Sequence, residues 1–110
     1  MLYSDQMRNK SAGKRIIRML RAHSSYLRAS YDVRRLGLFG SYARGQARKG
    51  SDLDILIEFN HAPSLLRFMR LEGELSKLTG THVDLVMKSV LKPNIGRHIL
   101  KEVIPIFPVR

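Results

Sequence analysis

The sequence predicts a single α/β domain (an α+β arrangement), with helices packed on a small mixed sheet in the order α–β–β–α–β–α. Three observations carry this. Apolar residues alternate in "VRRLGLFG", "DLDILIEF" and "THVDLVM", the pattern of half-buried strands. The stretches around them space their apolar residues as helices do. No repeat, linker or low-complexity tract divides the 110 residues, a length that suits one domain and is short for two.

Residues 1–12 are polar and aperiodic and are expected to form a flexible N-terminus, leaving residues 13–110 as the domain. From Lys14 to Ala29, Ile16, Ile17, Leu20 and Leu27 make a short helical stripe, with Arg15, Arg18, Arg21 and Arg28 as its basic outer face. Ser30-Tyr31-Asp32 connects this helix to a strand from Val33 to Gly40, in which Leu36 and Leu38 share a face. "GSYARGQARKGS" reads as a loop with one helical turn starting at Ser41. "DLDILIEF" is the cleanest strand: Leu53, Ile55, Ile57 and Phe59 share one face, and Asp52, Asp54, Leu56 and Glu58 the other. Pro63 and Ser64 start a second helix. Its core stripe is Leu65, Phe68, Leu71, Leu75 and Leu78, widened by Leu66 and Met69, and Gly80 stops it. "THVDLVM" is the third strand, with Asp84 facing opposite to Val83 and Leu85. Pro93 opens a last helix carrying Ile95, Ile99, Leu100 and Val103; Pro105 ends it, and "IPIFPVR" adds an edge strand.

Composition removes several function classes. No window approaches 18 consecutive apolar residues, so no membrane span is expected, and "MLYSDQMRNKSAG" has no apolar region of the secretory kind. Cysteine is absent, which excludes disulfides and thiolate metal sites and fits the cytoplasm. The net charge of +11 is uneven: residues 1–50 carry twelve Lys/Arg against Asp5 and Asp32, a net of +10. Such a field attracts polyanions. A solvated helix face explains it equally well, and no basic stretch interleaved with aromatics argues for single-strand stacking. Direct nucleic-acid binding rests on charge alone and is the weaker reading.

The chemistry concentrates between Gly37 and Phe59. Asp52 and Asp54 stand at i and i+2, so their carboxylates point to one side of a strand, roughly 7 Å apart along it. Both stay ionised at low cost only where a cation or solvent screens them. A hard divalent cation such as Mg²⁺ takes oxygen ligands, and two such ions can clamp an in-line displacement at phosphorus. Asp84, mid-strand between Val83 and Leu85, is the candidate third carboxylate. A strand end capped by acids in solvent is the competing reading. Gly40 lacks Cβ, which lets backbone approach a ligand, and Ser41 supplies a hydroxyl beside it. Arg44, Arg48 and Lys49 can meet phosphate charge.

"GSYARGQARKGSDLDILIEF" resembles the DNA polymerase β-like nucleotidyltransferases, whose signature is Gly-Ser, then Arg-Gly, then Ser-Asp-x-Asp. Among them the chain is similar to the minimal nucleotidyltransferases (MNT), small bacterial and archaeal proteins of about this length. The resemblance runs from about Arg15 to Phe107, through "VDLV" and "LKPNIGRHILKEVIPIF", and Gly40, Ser41, Arg44, Gly45, Ser51, Asp52, Asp54 and Asp84 all have their places in it. It implies a polymerase β palm-like fold. It also implies two Mg²⁺ ions held by Asp52 and Asp54, with Asp84 on the catalytic ion, and a nucleotide bound by Gly40, Ser41, Arg44, Ser51 and Lys49. The reaction would be NMP transfer from an NTP, ATP in the first instance, to a hydroxyl. The acceptor surface would come from a partner chain or a homo-oligomer. Minimal nucleotidyltransferases are commonly paired, as antitoxins, with a helical HEPN toxin, so a toxin tyrosine is the expected acceptor. Neutralisation by occlusion alone and transfer to a small molecule are the alternatives.

Other residues have plainer readings. His82 lies two before Asp84 and reads as a surface or core-edge histidine, Tyr42 as packing under the loop, and Glu58 as a solvated edge acid. Tyr26 and Tyr31 read as surface aromatics.

Overall fold

A computed structural model describes residues 2–108, with side chains from Ser11 onward. Met1, Val109 and Arg110 lie outside the described residues, as do the side chains on which the expectation of a flexible segment over residues 1–12 mainly falls. The described residues form α1 (Leu2–Ala22), α2 (Ser24–Tyr31), β1 (Val33–Phe39), α3 (Gly40–Ala43), β2 (Leu53–Phe59), α4 (Leu65–Thr79) and β3 (Val83–Met87). A 3₁₀ turn (Lys88–Val90), α5 (Pro93–Glu102) and β4 (Ile104–Phe107) complete the chain.

The four strands make one mixed sheet in the order β3-β2-β1-β4. β1 pairs antiparallel with both β2 and β4, while β2 and β3 run parallel, joined by α4. Leu53, Ile55 and Ile57 belong to the main core with Ile16, Leu20 and Leu27 of α1 and α2, Leu71 and Leu75 of α4, and Val83 and Leu85 of β3. Leu56, although buried, stands outside that cluster, on the face it shares with Asp54. The alternation of β2 thus puts aliphatic side chains into the helix-covered face and its carboxylate on the opposite one.

Three expectations are corrected. The first helix starts at Leu2 rather than near Lys14 and is divided at His23. There the His23 N–H bonds the carbonyl of Leu20 (3.1 Å) and its ring nitrogen lies 2.8 Å from the Met19 carbonyl, drawing both carbonyls out of the helical ladder. The stripe of α4 is narrower than its spacing suggests. Leu71 and Leu75 are buried and Phe68 and Leu78 pack at the margin, but Leu65, Leu66 and Met69 are 75%, 74% and 59% exposed. Leu65 borders an open cleft with Phe68 and with Leu85, Val86 and Met87 of β3 rather than packing into the core, so the periodicity continues where the surface is left uncovered. Tyr31 is a core residue, at 6% exposure, because it ends α2 directly above β1 and stacks edge-on with Tyr26.

The remaining boundaries follow local chemistry. The Ser64 hydroxyl accepts the Arg67 N–H (3.2 Å) as N-cap of α4, and Gly80 closes that helix in the left-handed conformation at φ 71°. Asp32 turns the chain at φ 59° and accepts hydrogen bonds from the Asn60 side chain and the His61 N–H, both at 3.0 Å. Those bonds, the Asn60 one foremost, hold its carboxyl below the usual carboxylate range. No helix of the described residues is long and apolar enough to cross a membrane.

Candidate active site

Parallel pairing of β2 with β3 puts Asp54 and Asp84 in register. Residues paired this way point to the same face from strands roughly 4.8 Å apart. The third carboxylate is therefore positioned by two apolar alternations that share one core, each displaying its acid on the outer face. Antiparallel pairing sets Phe39 opposite Asp54, so the chain turns into α3 directly beside that carboxylate.

Gly40 sits there at φ +73°, and a Cβ on it would collide with Asp54 Oδ2. A missing side chain at Gly40 is expected to clear backbone for a ligand; its structural effect is to make room for the site's own carboxylate. Asp54 is held above the ordinary carboxylate range, first by burial and then by the charges of Asp84 and Asp52, with Arg44 acting in the opposite sense. Asp52 lies just before β2, largely exposed, with Oδ1 3.1 Å from Nδ1 of His82. Its carboxylate faces the histidine of the adjacent strand entry. Among the described residues no three His, Cys, Asp or Glu side chains converge tightly enough to enclose a metal ion.

A fourth carboxylate enters from the far end of the chain. Glu102, the last residue of α5, accepts the Gly40 N–H at 3.1 Å and the Arg44 guanidinium at 3.1 and 3.3 Å. It fixes the turn that carries Ser41, and it also adds to the negative charge that raises Asp54. No spacing rule connects Glu102 to a motif some sixty residues upstream; its only trace in the sequence is its place in the ending that resembles the minimal nucleotidyltransferases.

The loop between α3 and β2 curls on itself: the Gln46 N–H bonds the Ser41 carbonyl at 2.8 Å. Ser51 closes the next turn, its hydroxyl accepting the Arg48 N–H at 2.8 Å. Lys49 lines a cleft with Arg48 and α1 rather than the carboxylate cluster. Gly40, Ser41, Arg44, Asp54 and Asp84 are thus gathered, Asp52 stands at the edge beside His82, and Ser51 and Lys49 shape the neighbouring loop. Tyr42 packs against the core margin. Glu58 lies between Arg35 (3.9 Å) and Lys88 (3.8 Å), an ion-paired acid away from the cluster.

Residues 20–106 match the family described as "Nucleotidyltransferase domain". The chain belongs to that family. This nucleotidyltransferase is 51% identical over 86 residues to the protein adenylyltransferase MntA of Thermococcus cleftensis, covering 78% of this chain and 87% of that protein. A solved structure described as a minimal nucleotidyltransferase is 40% identical, with a TM-score of 0.70 over 80% of this chain and 90% of its own. A complex of the tri-AMPylated Shewanella oneidensis HEPN toxin with MNT antitoxin shares the fold, at TM-score 0.58 and 18% identity, over 90% of this nucleotidyltransferase and 71% of the matched chain.

Proposed function

We propose that this nucleotidyltransferase moves AMP from ATP to a hydroxyl on a partner protein, a tyrosine of a HEPN-type toxin, and acts as the antitoxin of that pair in the cytoplasm. One observation carries the reading: Asp54 and Asp84 stand in register on one sheet face, with Gly40 shaped around Asp54. Relatives named for protein adenylylation and for HEPN–MNT complexes support the acceptor and the pairing.

The donor set fits Mg²⁺. It consists of hard carboxylate oxygens, and Asp54 is destabilised as an anion by burial and by its acidic neighbours. Asp52, Asp54 and Asp84 would hold the ions, which when bound supply Lewis-acid stabilisation of phosphoryl charge. The chain's own residues account for the remainder. Ser41 and the turn braced by Glu102 take the β- and γ-phosphates, and Arg44 balances negative charge beside them. Asp84 accepts the proton of the attacking hydroxyl. Oxygen bonds the α-phosphorus as the bond to the β-phosphate oxygen breaks, and pyrophosphate leaves.

Incubation with α-labelled ATP, Mg²⁺ and the co-expressed neighbouring gene product tests this. Label is expected on a tyrosine of the partner and is lost on chelation. A wild-type protein that blocks the toxin without transferring label would leave occlusion as the function.

A further inference from the structure

A basic cleft lies apart from the carboxylate cluster. α1 faces the loop that follows α3 across a cleft of about 480 Å³. Arg15 and Arg18 line it from α1, and Tyr42, Arg48 and Lys49 from the opposite side; among the described residues no acid lines it. Arg15 and Arg18 are one helical turn apart, which puts them on the same face.

Several other arginines are engaged. Arg21 donates to the Pro105 and Ile106 carbonyls, Arg28 lies over the Phe107 ring and Arg67 over Tyr31, while Arg35 and Arg44 pair with Glu58 and Glu102. Arg15, Arg18, Arg48 and Lys49 are exposed, and among the described residues no carboxylate or aromatic face holds them. Four cations facing one another across a recess repel, and a ligand with regularly spaced negative charges relieves that repulsion. In the sequence, Tyr42 is separated from Arg15 by 26 residues; the fold sets the aromatic among the basic side chains.

We propose that this cleft binds single-stranded nucleic acid through its phosphodiester backbone, with Tyr42 as a surface for a base. A charged groove with an aromatic beside it is how single strands are held without sequence preference. A duplex presents a stiff convex surface that meets only the rim of such a recess, whereas a single strand bends into it. The cleft is separate from the carboxylate cluster: none of Asp52, Asp54, Asp84, Gly40 or Ser41 lines it.

Fluorescence anisotropy with a labelled oligo(dT) of about 12 nucleotides is the test, at several salt concentrations. Four phosphate contacts predict a log–log salt slope of about −2.8. Arg15→Glu/Arg18→Glu weakens binding at least tenfold and roughly halves the slope, with Tm and AMP transfer unchanged. Arg48→Ala, on the opposite wall, weakens binding severalfold and leaves α1 untouched. The proposal is overturned if the charge-reversal variant binds like wild type or if the slope is near zero. It is equally overturned if a duplex of the same length or poly-glutamate binds as tightly. Displacement of the oligonucleotide by Mg-ATP at saturation of the catalytic site would reassign the cleft to the mononucleotide.

Discussion

Gly40 and Asp54 constrain each other at the scale of single residues. A methyl group on Gly40 meets the Asp54 carboxylate, and the position is left-handed, where L side chains are strained. Gly40→Ala is expected to cost about 1–3 kcal/mol in urea unfolding and to displace the carboxylate, with loss of transfer activity. Asp54 carries a second expectation through its raised pKa. The folded protein binds its proton more tightly than the unfolded chain does, so the stability this site contributes is complete below the ordinary carboxylate range and is lost as pH rises through the folded value. Asp54→Asn should therefore raise the Tm of the metal-free protein at pH 8, a difference that vanishes below the ordinary carboxylate range, while abolishing transfer. Melting curves in EDTA at pH 8 and below that range check this. Glu102 joins Gly40 and Arg44, and Glu102→Ala leaves a backbone donor and a guanidinium without their partner. It should cost about 1 kcal/mol and lower kcat/KM for ATP roughly tenfold, with Glu102→Gln restoring stability because it still accepts the Gly40 N–H.

At the scale of elements, the strongest strand was legible because its two faces differ so sharply: Leu53, Ile55 and Ile57 are buried while Asp54 and Glu58 are not. The cap at Ser64 and stop at Gly80 were legible for the same local reason, since side-chain hydroxyl and left-handed glycine act within one turn. The break at His23 was not, because it depends on a ring nitrogen reaching back to a carbonyl. Leu65, Leu66 and Met69 show the limit of periodicity, which states that a face is apolar and not whether anything lies opposite. Leu75→Ala, in the buried half of α4, is expected to cost about 2–5 kcal/mol, whereas Met69→Ala should stay within about 0.5 kcal/mol; urea titration of both variants distinguishes the halves. α4 has a further duty. Ser76 and Glu72 accept the N–H groups of Val83 and Leu85, each at 3.0 Å, which closes the outer edge of β3 and steadies the strand that presents Asp84.

For the whole molecule, Asp54 and Asp84, 30 residues apart in sequence, come to one face of one sheet, with the Gly40-Ser41 turn beside Asp54 and Asp52 at the edge. Alternation and the resemblance together pointed to Asp54 and Asp84; the register of β2 with β3 supplies the physical reason. The contribution of Glu102 depended on where α5 ends against α3, and the assembly of Arg15, Arg18, Arg48 and Lys49 on how α1 lies beside the loop, neither of which spacing encodes. If the carboxylates hold the metal–nucleotide complex, Mg-ATP at about 100 times its Kd should stabilise the protein by about 2.7 kcal/mol, and EDTA should reverse the gain. The most direct measurement is transfer itself: wild type and Asp52→Asn/Asp54→Asn, each with α-labelled ATP, Mg²⁺ and the co-expressed partner, followed by mapping of the labelled residue. AMP is expected on a partner tyrosine with wild type and none with the double variant. Equal labelling by both proteins, or toxin neutralisation by both without any labelling, would contradict this.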